Sequence, residues 1–127
     1  MSTAIKDGGG TSIRGIQPEM AIAHKIVADV FAEYNADCVI TAGTDSKHKN
    51  SSRHYCGYAL DFRIRTLEET NQEFAADIRH DIWKNRVQEV CEKIQARLGS
   101  EFDVINEFER LHIHVEFDPK RPLNEQV

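Results

Sequence analysis

Two short runs hold the side chains that could do chemistry. Ser52, His54, Gly57, Ala59 and Asp61 stand in Ser-Arg-His-Tyr-Cys-Gly-Tyr-Ala-Leu-Asp, and Glu109, His112 and His114 in Glu-Arg-Leu-His-Ile-His. Their types suit a catalytic zinc site, which takes three protein ligands from His, Asp/Glu and Cys and keeps a fourth position open. Two neutral imidazoles and one carboxylate leave such an ion net positive, enough to polarise a carbonyl and lower the pKa of water.

Geometry supports convergence. His112 and His114 are two apart, so on a strand both side chains leave the same face. Asp61 begins the polar face of its own strand, and His54 lies in the loop before it. If the two strands are neighbours, the ligands meet. Gly57 and Ala59 are small, which keeps space over an ion open and lets backbone approach it. His24 and His80 fall on helical stretches without a nearby partner and read as structural. Cys56, two residues from His54, could be mistaken for a ligand.

The elements that must position these residues follow from periodicity. Pro18 suits a first helical turn, and Met20, Ala23, Val27, Val30, Phe31 and Tyr34 recur at helical spacing as far as about Asn35. Cys38, Val39, Ile40 and Thr41 form a β-prone run stopped by Gly43, and residues 58–65 alternate as a second strand. Between them, residues 43–53 make a long loop of turn formers and charges. Thr66 and Glu69 have capping-box spacing, and apolar periodicity from Leu67 through Phe74, Ile78 and Val87 to Leu98 predicts one long helix, or two with a break near Trp83, ending at Gly99. Phe102, Val104 and Ile105 predict a third strand. His112, His114 and Glu116, alternating with Ile113, Val115 and Phe117, predict a fourth, ended by Pro119 and Pro122. The order implies a single α+β domain over residues 17–118, a small antiparallel sheet with helices packed on one face. Residues 1–16, rich in glycine, read as a flexible arm, and 119–127 as a polar tail.

Composition narrows the classes. The chain has 127 residues, enough for one core without disulfides or a structural metal, so a metal would be there for chemistry. A net charge of −5 with scattered basic residues argues against a nucleic-acid partner. Three cysteines at long intervals form no disulfide framework or metal ribbon, and favour a reduced compartment. No signal-peptide core or membrane span is visible. The expectation is a soluble protein made in the cytoplasm and either kept there, released or built into a virion, with no membrane insertion.

The combined pattern, Ser-x-His-x-x-Gly-x-Ala-x-Asp followed by Glu-x-x-His-x-His, resembles the zinc D-alanyl-D-alanine peptidase superfamily: carboxypeptidases, dipeptidases, phage L-alanyl-D-glutamate endopeptidases, and the lysostaphin and hedgehog relatives. All five fixed positions of the first motif are present, and residues 39–48 resemble the preceding segment of short phage and prophage members. The resemblance implies one Zn²⁺ held by His54, Asp61 and His114, with Glu109 as general base and then acid, and His112 stabilising the reacting oxygen. Glu109 stands three residues before His112 and five before His114, so spacing alone leaves the ligand histidine open; the resemblance favours His114. Many members carry an arginine before the first motif, where this chain reads Gly43-Thr44-Asp45. Lys47, His48 or Arg53 could replace it, or the loop is a solvated charge run; Ser52 either binds substrate or shapes the turn. The implied partner is a peptidoglycan stem peptide or D-Ala-D-Ala-type peptide, reached with help from a holin, virion or assembly partner. The alternative is a non-catalytic phage structural or binding module that keeps the fold.

Overall fold

In the computed structural model, residues 3–5, 15–43 and 57–119 are described. Helix α1 (Pro18–Glu33) starts where proline's missing N–H costs nothing, after an extended Gln17 whose carbonyl accepts the Met20 and Ala21 N–H groups. Its stripe of Met20, Ala23, Val27, Val30 and Phe31 is fully buried. The helix ends through Asn35 at φ 54°, a left-handed position that asparagine tolerates. The predicted stripe and both ends of this helix are as expected.

Five strands follow one another across the sheet in the order β1 (Thr3–Ile5), β2 (Cys38–Ala42), β3 (Ala59–Arg63), β5 (His112–Phe117) and β4 (Phe102–Glu107). The four expected strands pair antiparallel; β1, inside the segment expected to be an arm, adds an edge strand parallel to β2. Helix α2 (Ala76–Leu98) packs with α1 on one face. Strand alternation then sorts the side chains. Cys38, Ile40, Leu60, Phe62, Ile113 and Val115 point into the helical core and are buried to 1 % exposure or less. Asp61, Arg63, His112, His114 and Glu116 take the opposite face, which carries no helix among the described residues.

Two local expectations are corrected. Thr66 and Glu69 do not cap α2, which begins at Ala76. Residues Arg65–Leu67 form a 310 turn instead, and the Glu69 carboxylate accepts the Asn71 N–H at 2.9 Å and pairs with Arg86 at 3.2 Å. Phe74 and Ile78, counted in the apolar stripe, are 41 % and 48 % exposed. Nor does α2 break near Trp83. That indole donates its N–H to the Ile64 carbonyl at 2.9 Å and packs edge-on to Phe108 at 4.7 Å, so it anchors an unbroken helix to the ends of β3 and β4.

Gly57 has a different job from the one its place in the motif suggested. Its φ is 81°, and a Cβ there would lie 2.3 Å from the Gly15 carbonyl oxygen. Close backbone approach, sealed by the Gln17 N–H on the Gly57 carbonyl at 2.9 Å, is what demands glycine. No helix among the described residues is long and apolar enough to cross a membrane.

Candidate metal centre

The strand register brings the charged residues together in rows. Asp61 on β3 lies directly across from His114 on β5, with Ile105 of β4 beyond; one row along, Arg63, His112 and Glu107 are aligned in the same way. Because partners across antiparallel strands have Cβ atoms ~4.5–5.5 Å apart, each row presents its side chains to one another on the open face. The β2–β3 register shifts between Ile40 and Ala42, where Ala42 pairs with Asp61. Bulges of this kind re-aim side chains beside functional sites.

Asp61 is 5 % exposed and is the one buried charged residue among the described residues. A carboxylate held out of water must be paired, hydrogen-bonded or bound to a cation. Its Oδ1 lies 2.8 Å from His114 Nδ1, and its Oδ2 lies 3.7 Å from His112 Nε2. The other nitrogen of His114, Nε2, is 2.7 Å from Glu116 Oε1, whereas His112 uses the same nitrogen twice, its Nε2 also lying 2.9 Å from Glu107 Oε1.

Burial pulls the His114 imidazole toward its neutral form, but hydrogen bonds and charge from Asp61 and Glu116 outweigh it and lift the pKa from 6.5 to about 9. His24, on the core side against Phe62, is the opposite case: burial alone lowers its pKa, and its buried Nε2 has no hydrogen-bond partner among the described residues. The signs differ accordingly. Stability from His114 is complete below pH 6.5 and lost as pH rises through about 9, whereas that from His24 is complete above 6.5 and lost as pH falls below it. Denaturant titration of chelator-treated protein should show maximal stability near pH 6.5, with the alkaline decline removed by His114→Gln. A midpoint constant from pH 6.5 to 9 would contradict the pairing.

The donor set fits a metal ion. Ligand atoms of Asp61, Glu107 and His114 lie within 4.8 Å of one another. With His114 Nδ1 facing Asp61, Glu116 grips the far nitrogen, and a carboxylate there fixes ring orientation and tautomer in histidine metal sites. A further acidic group, Asp103, Glu116 and Asp118, adjoins it; carboxylates clustered near the surface are common without an ion.

A scan against protein-family models finds no match, and neither does a search of curated proteins.

Of the residues singled out in the sequence, Asp61, His112 and His114 come together. His54, Ser52, Lys47 and His48, with Arg53 and Cys56, lie outside the described residues. Glu109 does not join the cluster. It sits exposed on the 310 turn Phe108–Arg110, makes no hydrogen bond or ion pair with a described residue, and lines a separate depression with Lys84 and Gln88. The reason is local. Phe108 is driven into the core at 7 % exposure, which turns Glu109 outward, and Leu111 at φ 66° then redirects the chain into β5. Three-residue spacing before His112 therefore spans a turn, not a continuous element. The carboxylate that reaches the histidine is Glu107, the last residue of β4. Glu107 and Glu116 were missed, although the parity of Glu116 with His114 was a usable signal.

Proposed function

We propose that the chain is a zinc metallopeptidase that hydrolyses a D-amino-acid-containing peptide bond of peptidoglycan or its precursors. The observation that carries this reading is the buried Asp61 set opposite His114, with the Glu107–His112 pair in the adjoining row of the same open face. The motif resemblance supplies the substrate class. Asp61 and His114, with His54 from the preceding loop, would hold the ion, and Glu107 stands within reach of them. Lewis acidity toward a carbonyl and toward water is the chemistry such an ion supplies when bound.

The chain's own residues supply the rest. Glu107, 24 % exposed at its side chain and hydrogen-bonded to His112, is placed to accept a proton from attacking water and return it to the leaving amine. His112 lines the groove beside Asp61 and is positioned as a hydrogen-bond donor to developing oxygen charge. Glu116 keeps the His114 ring in one orientation.

Incubating zinc-loaded protein with purified peptidoglycan, with Asp61→Ala as control, tests the reading by mass spectrometry of released fragments. New peptide termini made only by the wild type are expected, and they name the bond. Absence of release from folded, metal-bound protein would overturn wall cleavage and favour the non-catalytic module.

A further inference from the structure

We infer that Arg63 is the anion receptor of this site and that the ligand it recognises is a carboxylate of the peptide substrate. This inference rests on the peptidase reading. A groove of about 560 Å³ opens beside Asp61 and His112 and is lined by three arginines, Arg63, Arg65 and Arg110. The acidic side chain lining it, Asp61, is already paired with His114 at 2.8 Å. The groove wall is therefore cationic.

The three arginines are not equivalent. Arg65 lies 3.8 Å from Glu68 and places its guanidinium over the Trp83 ring at 5.3 Å. Arg110 is 76 % exposed at its side chain and lies 3.6 Å from Glu107. Arg63 has no hydrogen bond, ion pair or ring contact with a described residue, is only partly exposed, and ends the strand that carries Asp61. Being two residues on, it shares the open face with Asp61, and it pairs in register with His112. A guanidinium held beside the reacting groups with its fork uncommitted among the described residues suits bidentate capture of a planar carboxylate. Such a contact would fix the substrate's reach along the groove, so that the bond next to the carboxylate-bearing residue lies over Asp61 and His112.

The carboxylate can be a chain terminus or that of an acidic residue, and two matched pairs of peptides separate these sources. One is N-acetyl-D-alanyl-D-alanine against its terminal amide. The other is the γ-methylamide of N-acetyl-L-alanyl-D-glutamate, with its α-carboxylate free, against the same compound with that α-carboxylate amidated. Binding to zinc-loaded protein is measured by calorimetry, and hydrolysis is followed separately. In at least one pair the carboxylate form should bind about 10–100-fold tighter than its amide, the range of a charge-assisted hydrogen bond. Arg63→Gln should erase the preference, Arg63→Lys should retain part of it, and Lys84→Gln, outside the groove, should leave it intact. Equal binding of acid and amide in both pairs, no binding of any of the four, or a preference that survives Arg63→Gln would overturn the assignment. A preference without hydrolysis would keep the receptor and remove the peptidase reading; hydrolysis without preference would do the reverse. Matched circular dichroism and zinc content of the variants exclude misfolding as the cause.

Discussion

Glu107→Gln is expected to slow hydrolysis by ~10²–10⁴-fold, the range for loss of a positioned general base, with bound metal unchanged; Glu109→Gln is expected to leave both untouched. The contrast follows from placement. Glu107 ends β4 across from His112, with its Oε1 2.9 Å from the ring, while Glu109 stands exposed on the turn beyond it. Glutamine keeps the size and hydrogen-bonding reach of Glu107 but cannot accept the proton. Metal content separates the two roles open to this carboxylate, since its ligand atom lies within 4.8 Å of those of Asp61 and His114. If Glu107→Gln lost the ion as well as activity, Glu107 would be a ligand and not the base. If Glu109→Gln lost activity with its metal intact, spacing along the chain would have named the base correctly and placement in the fold would have misled.

That pair of glutamates shows where one-dimensional reasoning stopped. Parity along a strand is a strong constraint, because a shift of one residue would move every side chain to the other face. Parity puts His112 and His114 on one face of their strand and Asp61 on the polar face of its own; that these strands are neighbours, with Asp61 opposite His114, comes from the register. Across the turn between β4 and β5 no such constraint operates. Phe108 goes inward for reasons of core packing, and the carboxylates on either side of it part company. Tertiary anchoring is equally invisible in sequence: ahead of α2 the Glu69 carboxylate is drawn to Asn71 and Arg86, and Trp83 within α2 binds the Ile64 carbonyl. Strand β1, only three residues long, is held by pairing with β2 and has no periodicity long enough to read. Arg63 shares the parity of Asp61 on one strand, which sets both on the same face, whereas the loop residues Lys47, His48 and Arg53 obey no such constraint.

Asp61→Ala should abolish metal binding, and the manner of the loss carries more information than the loss itself. In the metal-free protein Asp61 and Glu116 hold a proton on His114, raising its pKa to about 9. A metal that takes Nδ1 must displace that proton. Binding at pH 7 should therefore release close to one proton from this ring, measurable by calorimetry in buffers of different ionisation enthalpy, and affinity should rise with pH until about 9. Glu116→Gln tests the same linkage from the far side of the ring. Losing the carboxylate 2.7 Å from Nε2 weakens the hold on ring orientation and should reduce metal affinity by ~10–100-fold. It also removes one of the two charges that hold the proton, so less proton release at pH 7 should accompany the weaker binding. A Glu116→Gln protein with wild-type affinity and wild-type proton release would mean that the ion does not take His114, and that the ring serves the fold and not the metal.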